Sequence, residues 1–398
     1  MDFIGVVCEY NPFHNGHAYH LRESARRTGG LPVVCVMSGD FVQRGEAALY
    51  AKHARAEAAV RGGADVVFEL PLPWALSSAE GFARGAVGLL GQLGASQLSF
   101  GTESEDMGIL DALARRLLEE ETVEAIRRKM ADEPELSFAA ARQRVLETLC
   151  GAGARALEGP NNILAVEYLK AIYAMGLELQ PLAIRRLGSA HDGPGAGDTR
   201  SASELRSLLR RGGEAARFMP ASARAVFAFD EAQGRGIPSP AALETAVLSR
   251  LRMCPGEVFA SLPDASGGLG ERLKKAVEEP SLDAVYAAVK NKRLAMSRIR
   301  RAVFCAALGL REGMAASLPP YARLLAANSR GRELLGQWRE SSPIPIVTKP
   351  SLVRELGGAC EEIFSLGAAA HDLYVLGYRA AEERRGGADW RIAPRIVE

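Results

Sequence analysis

Residues 7–20 read V-C-E-Y-N-P-F-H-N-G-H-A-Y-H and overlap a short apolar run, F-I-G-V-V-C at residues 3–8. The β-branched run predicts a buried strand. The sequence L-R-E-S-A-R-R at residues 21–27 predicts a helix that ends at Gly29. The H-N-G-H at residues 14–17 therefore lies at a strand-to-helix corner. In parallel α/β sheets such corners form at the carboxyl ends of strands, where ligands bind.

The two histidines of this corner, His14 and His17, predict an anion site. A helix N-terminus favours negative charge through its dipole and its free backbone N–H groups. Gly16 lets a ligand come close to the backbone because it has no Cβ. Two alternatives stay open on the residues alone: the imidazoles could simply cap the helix, or their H-x-x-H spacing with Glu9 and His20 nearby could hold zinc.

The string E-Y-N-P-F-H-N-G-H at residues 9–17 resembles the bacterial tRNA(Met) cytidine acetate ligase family. Its H-x-G-H part also resembles the signature of the wider nucleotidyltransferase superfamily. Nearly the whole chain shares the resemblance, most strongly its first half. The matching segments are M-S-G-D-F-V-Q-R-G-E at 37–46, F-E-L-P at 68–71, F-G-T-E at 100–103, P-N-N-I-L at 160–164 and S-A-S-E-L-R at 201–206, with weaker similarity at 292–301 and 320–325.

The resemblance implies that ATP is a substrate and that His14 and His17 are catalytic, with His17 the stronger candidate. Fixed donors aimed at the phosphoryl oxygens stabilise the charge that develops there. The residues expected to bind ATP are Val7, Cys8, Glu9, Tyr10, Asn11, Pro12, Phe13, His14, Asn15, Gly16, His17, Ala18, Tyr19, His20, Gly101, Asn161, Asn162, Arg186, Ser201 and Ser203. Within the pairs Asn161/Asn162 and Arg185/Arg186 the choice stays open, with Asn162 and Arg186 preferred.

Several of these residues have an ordinary structural alternative. Ser201 followed by Glu204 is a capping box, although its position after the glycine-rich segment at 191–198, a predicted loop, suits a second phosphate motif. Asn161 and Asn162 precede a predicted helix, where Asn is a common N-cap. Asp40 is a further candidate for Mg²⁺, but no complete set of metal ligands is visible in the sequence, so Mg²⁺ is plausible only from the ATP chemistry.

The fold class expected is α/β, with a Rossmann-like parallel sheet in a nucleotidyltransferase domain at 1–212, followed by a mostly α-helical domain at 213–398. Strands predicted at residues 3–8, 32–37, 66–69 and 98–100 alternate with helices, and another is predicted near 179–187. Brief extended pieces are predicted at Val347 and at residues 374–376. The boundary is placed near Gly212, in the Gly212-Gly213 pair.

Composition agrees with a cytoplasmic enzyme. The 398 residues are 47% hydrophobic and carry a net charge of +1, so any nucleic-acid contact must come from a local patch. Six scattered cysteines without a C-x-x-C motif predict reduced thiols. No apolar run reaches the ~20 residues that span a bilayer, so no membrane association is expected. The oligomeric state is not readable.

The function implied by the resemblance is an ATP-dependent ligase that activates acetate to acetyl-adenylate. The acetyl group then passes to the wobble cytidine of elongator tRNA(Met), in the anticodon region, and forms N4-acetylcytidine. The basic segment at 290–301 is the predicted RNA contact, with Tyr286 and Tyr321 as stacking partners. Two alternatives stay open: a small-molecule adenylyltransferase, and a nonenzymatic RNA-binding protein that holds ATP.

Overall fold

A computed structural model describes residues 2–104, 106–186 and 200–398 of the chain. Ten strands are described: β1 Ile4–Cys8, β2 Val33–Ser38, β3 Phe41–Val42, β4 Glu46–Ala47, β5 Val66–Leu70, β6 Gln97–Thr102, β7 Gln180–Arg185, β8 Ala322–Ala327, β9 Ile346–Val347 and β10 Arg395–Ile396. The strands predicted at the start of the chain and near residues 179–187 are confirmed. The glycine-rich segment at 191–198 lies outside the described residues.

Helices lie between these strands and make up most of the second half. They are α1 Asn15–Arg27, α2 Lys52–Arg61, α3 Leu72–Ala75, α4 Ala79–Gln92, α5 Met107–Arg116, α6 Glu120–Asp132, α7 Phe138–Cys150, α8 Pro160–Ala174, α9 Ala202–Arg210, α10 Ala221–Ala232, α11 Pro240–Met253, α12 Gly256–Ala260, α13 Leu269–Ala276, α14 Leu282–Val289, α15 Met296–Leu308, α16 Ser329–Ser341, α17 Leu352–Leu356 and α18 Gly358–Val375. Short 3₁₀ helices add residues 151–158, 216–218, 381–383 and 388–390.

The main sheet has the strand order β10-β8-β5-β2-β1-β6-β7, with β9 paired to β8. Its pairs are parallel except for β5 and β8, which run antiparallel. The first-half strands therefore all end at one edge, as in doubly wound α/β folds. The α/β fold class is confirmed.

Alternating side chains in the central strands enter two different cores. In β2, Val34 and Val36 pack with Trp74 and Trp338 on one face of the sheet. Cys35 packs on the opposite face, among residues of α1, α2 and α10. Because both faces are covered by helices, β1 and β2 read as nearly continuous apolar runs.

The second half of the chain is not only helical. Strand β8 pairs with β5, so residues far beyond 212 extend the sheet of the first half. The extended piece predicted at Val347 lies in β9, whereas Tyr374 and Val375 belong to α18, so that second extended piece is wrong. Tyr374 packs there on Phe41, in a core that α18 shares with the second-half helices. The domain division at residue 212 stays a prediction.

Candidate active site

The corner between β1 and α1 is anchored by two aromatic rings. Tyr10 and Phe13 are buried, and their rings meet edge to face at 4.9 Å. The ring of Tyr10 also lies 4.8 Å from that of His17. The backbone therefore turns from strand to helix around a fixed aromatic cluster, and the imidazole side chains are held against it.

Both histidines of the corner cap helix α1 through their Nδ1 atoms. The Gly16 N–H donates to His14 Nδ1 at 3.0 Å, and the His14 N–H donates to His17 Nδ1 at 3.3 Å. The two rings stack with centroids 3.7 Å apart. An Nδ1 that accepts a hydrogen bond carries no proton, so each neutral ring carries its proton on Nε2. The alternative interpretation that these imidazoles cap the helix is therefore confirmed. Capping leaves each ring with an Nε2–H group as a hydrogen-bond donor.

These imidazoles are neutral around pH 7. Burial, reinforced by the nearby Arg186 guanidinium, lowers the pKa of His14 to about 3. The same causes, with His14 as an additional neighbour, lower the pKa of His17 well below its ordinary value. Within the described part of the chain, His14 Nε2 is buried and has no hydrogen-bond partner. A buried donor left unpaired costs roughly 1–3 kcal/mol, which an anionic ligand would relieve.

The missing Cβ of Gly16 makes room for the His14 ring, a role that the sequence did not indicate. A Cβ at this position would lie 2.9 Å from His14 Cε1 and 3.1 Å from Nδ1. The Gly16 N–H is not one of the free backbone N–H groups of this helix N-terminus, because His14 Nδ1 accepts it. The helix N-terminus thus offers imidazole N–H groups in place of this backbone one.

Arg186 and Asn161 extend the site from the end of β7. Arg186 Nη1 donates to Asn161 Oδ1 at 2.9 Å, and the Arg186 stem lies 3.2 Å from where a Cβ at Gly101 would be. Asn161 Nδ2 donates to Glu103 Oε1. The positive charge of Arg186 contributes to the lowered pKa values of His14 and His17, so it acts on the histidine pair. These predicted residues come together at the ends of β6 and β7.

Asn162, the Asn preferred from the sequence, is occupied by structural hydrogen bonds. Its Oδ1 accepts from the Glu103 and Ser104 N–H groups at 3.0 and 3.2 Å, and its Nδ2 donates to Ala156 O at 3.0 Å. The residue is buried. Its amide therefore holds the loop after β6, while Asn161 is the one bonded to Arg186.

The remaining predicted residues of the corner have mostly local contacts. His20 Nε2 lies 2.9 Å from Ser99 Oγ, and Asn15 Nδ2 donates to Arg217 O at 3.0 Å. Asn11 Oδ1 accepts from the Leu49 N–H at 2.8 Å. Val7 and Cys8 end β1, and Glu9 directly follows it. Pro12 precedes the histidines, and Ala18 and Tyr19 lie in the first turns of α1.

Ser201 forms the capping box that was its structural alternative. Ser201 Oγ donates to Glu204 Oε2 at 2.8 Å and accepts from the Glu204 N–H at 3.3 Å, and both Ser201 and Ser203 are exposed. Helix α9 nevertheless lies against the corner, because Arg206 Nη1 donates to Asn11 O at 3.1 Å. The hydroxyl of Ser201 is therefore already used in the helix cap.

Arg55 supports the loops of the candidate site, a role that the sequence did not reveal. It is fully buried, and it donates to the carbonyl oxygens of Glu9, Ser38 and Gly39, which end β1 and β2. One guanidinium therefore fixes the loops at two adjacent strand ends. An arginine inside the helix of residues 52–61 carries no sequence signal for this role.

Asp40 and Glu69 belong to a buried ionic network. Asp389 receives Lys52 Nζ at 2.7 Å and Arg323 Nη1 at 2.6 Å, and both cations also reach Glu69, at 2.8 and 2.9 Å. His371 Nδ1 lies 2.8 Å from Asp40 Oδ2. Glu69 is thus held by two buried cations, and Asp40 lies between His371 and Lys52. The partners come from β8, α18 and the C-terminal 3₁₀ helix, which no local pattern connects. The candidate Mg²⁺ role of Asp40 stays a prediction.

The basic segment at 290–301 is partly neutralised by Asp264, which lies outside it. Arg298 Nε and Arg301 Nη2 lie 3.4 and 3.6 Å from Asp264 Oδ2. Tyr286 and Tyr321 are buried, so neither is available for stacking on a base as predicted. The segment does approach the site, because a Cβ on Gly45 would meet the Arg301 backbone nitrogen at 2.4 Å.

Three features of the described residues complete the description. Across residues 2–104, 106–186 and 200–398, no group of three or more His, Cys, Asp or Glu side chains could hold a metal ion. Of the helices described, none has the length and apolar composition to cross a bilayer. The six cysteines are all unpaired.

Comparisons with known proteins agree with this geometry. The model of the HIGH Nucleotidyl Transferase family matches residues 1–389. A tRNA(Met) cytidine acetate ligase of Syntrophotalea carbinolica is 40% identical over 89% of this chain and 86% of its own length. The enzyme of that name from Acetivibrio thermocellus is 33% identical over 98% of both.

A solved structure of Thermotoga maritima TmcAL with bound alpha-thio ATP superimposes with a TM-score of 0.91 and 32% identity. The apo form gives 0.92 and 31%, and each covers 100% of both chains. With its H-x-G-H corner, its parallel sheet and these full-length matches, the chain belongs to the tRNA(Met) cytidine acetate ligases within the HIGH nucleotidyl transferase family.

Proposed function

We propose that this protein activates acetate with ATP and transfers the acetyl group to the wobble cytidine of elongator tRNA(Met). The observation that carries the proposal is the stacked pair of neutral imidazoles, whose Nε2–H groups are the donors that a phosphate needs. The similarity to a TmcAL structure that holds an ATP analogue supports ATP as the ligand.

In the first step, an acetate oxygen attacks the α-phosphorus of ATP. A P–O bond forms, the bond to the β-phosphate breaks, and pyrophosphate leaves with the electron pair. Charge gathers on the phosphoryl oxygens, where His14 and His17 donate hydrogen bonds and Arg186 adds positive charge. Acetate is already an anion, so this step needs positioning and electrostatics and no proton acceptor.

Asn161 and Gly101 are the proposed contacts on the nucleoside side. Asn161 keeps Arg186 in place at the end of β7, and Gly101 leaves room beside the Arg186 stem. We propose Asn161 in place of Asn162 because the Asn162 amide is taken up by the loop after β6. We propose no phosphate contact for the capped Ser201 hydroxyl, and Ser203 stays a proposed contact.

The tRNA would bring its anticodon loop to the same edge of the sheet. An anticodon base must leave its stack to reach the corner. The exposed Lys292 and Arg293 lie in the basic segment that adjoins the loop at Gly45, and they are the proposed phosphate contacts. Magnesium would arrive bound to the phosphates of ATP, and the cytoplasm supplies tRNA, ATP and acetate together.

Incubation of the protein with ATP, labelled acetate and elongator tRNA(Met), followed by nucleoside mass spectrometry, tests the proposal. The expected product is N4-acetylcytidine, together with acetate-dependent exchange of pyrophosphate into ATP when tRNA is absent. Exchange that depends on a phosphorylated metabolite in place of acetate would support an adenylyltransferase. An unmodified nucleoside together with no pyrophosphate exchange would support a nonenzymatic RNA-binding protein.

A further inference from the structure

The transfer step poses a proton problem that the histidine pair does not solve. This inference rests on the proposed function. In the transfer step of that function, the N4 amine of cytidine attacks the acetyl carbon of acetyl-adenylate. A C–N bond forms, the C–O bond to the phosphate breaks, and AMP leaves with the electron pair. The nitrogen gives up one proton, and a positioned base typically accelerates such a transfer by about 10²–10⁴-fold.

Neither histidine of the pair is available as that base. His14 Nδ1 and His17 Nδ1 each accept a backbone N–H, so their lone pairs are used inside the helix cap. The remaining ring nitrogens carry protons and act as donors. These two imidazoles therefore stabilise negative charge at the phosphate and leave the amine proton without an acceptor.

Most carboxylates around the crevice already have partners. Glu103 accepts the N–H groups of Asn161 and Asn162 with both of its oxygens. Glu46 Oε1 pairs with Arg206 at 3.0 Å. The Asp40 carboxylate faces His371 at 2.8 Å within the ionic network. Each of these groups is held by donors that weaken it as a base.

Glu9 differs from them. It directly follows β1, its Oε1 accepts the Gln43 N–H at 2.8 Å, and its backbone carbonyl is held by Arg55. Among the residues that the structure describes, no hydrogen bond or ion pair occupies its Oε2, and the side chain is only half-buried. The carboxyl is thus fixed at one oxygen and open at the other, at the carboxyl end of the central strand.

We propose that Glu9 Oε2 is the catalytic base that takes the N4 proton during acetyl transfer. Burial raises the pKa of the Glu9 carboxyl, and a more basic carboxylate accepts a proton more readily. The charged groups that act on it are Arg206 from α9, Arg44 from the loop after β3, and Glu46 from β4. The two arginines lower the pKa of Glu9 and Glu46 raises it.

The Glu9→Gln variant separates the two half-reactions. A Gln amide oxygen still accepts the Gln43 N–H, so the loop is retained while the proton acceptor is lost. We expect single-turnover transfer from preformed acetyl-adenylate to tRNA to slow by about 10²–10⁴-fold, and acetate-dependent pyrophosphate exchange, which moves no proton, to fall much less. Glu23→Gln, on the surface of α1 beside Arg26, is the matched control and should leave both rates unchanged.

The pH dependence supplies a second measurement on the unmodified protein. The rate of acetyl transfer by the wild-type protein should rise as pH increases through the pKa of Glu9 and then level off. The rate of Glu9→Gln should not rise over that pH range. Equal losses of exchange and transfer in Glu9→Gln, a normal transfer rate in that variant, or a pH-independent wild-type transfer would each overturn the proposal. Absence of acetate-dependent exchange in wild type would instead refute the proposed function.

Discussion

Replacing His17 by Asn tests whether Nε2 of His17 carries the proton that is donated to the phosphate. In the protein, His17 Nδ1 accepts the His14 N–H at 3.3 Å, and its Nε2 is the donor assigned to the phosphate. An Asn Oδ1 can occupy the position of Nδ1 and keep the helix cap, but Asn has no atom at the position of Nε2. The reverse exchange, His17→Gln, carries an N–H donor near the position of Nε2 and loses the Nδ1 acceptor.

The size of the effect follows from the charge that develops at the phosphorus. One fixed donor to such an oxyanion contributes about 2.7–4 kcal/mol, which corresponds to about 10²–10³ in rate. Loss of the ring contacts with Tyr10 and His14 should lower the free energy of unfolding by only about 0.5–3 kcal/mol. The Asn variant is therefore expected to fold and to activate acetate slowly.

Acetate-dependent pyrophosphate exchange at saturating ATP, with thermal unfolding measured in parallel, is the assay. We expect exchange to fall by about 10²–10³ in His17→Asn and by less in His17→Gln. A folded Asn variant with wild-type exchange would refute the role of Nε2. A Gln variant slower than the Asn variant would refute the assignment of the proton to Nε2.

Three further predictions concern the surroundings of the site. Asn161→Ala should raise KM for ATP by up to about tenfold with little change in stability. Asn162→Ala should instead lower the free energy of unfolding by about 1–3 kcal/mol, because it leaves the partly buried N–H groups of Glu103 and Ser104 unpaired. Equal effects of the two variants on KM would contradict this. Asp389→Ala should cost about 3–5 kcal/mol in urea unfolding because two buried cations lose their shared carboxylate, and a loss below 1 kcal/mol would contradict it. Although burial opposes it, the Asp40 carboxylate raises the pKa of His371, so this pair stabilises the fold fully below the unfolded-state pKa of about 6.5 and loses that contribution as pH rises through the folded-state pKa. The urea midpoint of His371→Gln should therefore approach that of wild type above neutral pH, and a gap that widens with pH would contradict the pairing.

Local sequence was sufficient for the corner and for the strands that lead to it. β1 and β2 are β-branched runs between turn residues, and the histidines sit where the strand pattern changes to the helix pattern. Strand β8 was missed because A-R-L-L-A-A at 322–327 has no β-branched residue and equally suits a helix. It is a strand because it pairs with β5, a partner more than 250 residues earlier in the chain.

The buried ionic network, like strand β8, could not be predicted from local sequence. Lys52 and Asp389 are separated by 337 residues, and each taken alone reads as a solvated surface charge. Their burial depends on β8 and α18 packing against the first-half loops, which is a tertiary property. The local sequence pattern therefore predicted the residues proposed to contact phosphate. It did not predict the residues that hold the loops on which those contacts lie.

The two capped helices at the site show why capping and function are not competing interpretations. A histidine cap uses only Nδ1, so the cap at His14 fixes the tautomer and leaves Nε2–H without a partner among the described residues. A serine cap uses the single hydroxyl both as acceptor and as donor, as Ser201 does with Glu204, and leaves no second polar atom. The same local device thus makes one helix N-terminus a source of hydrogen-bond donors and uses up the side chain of the other.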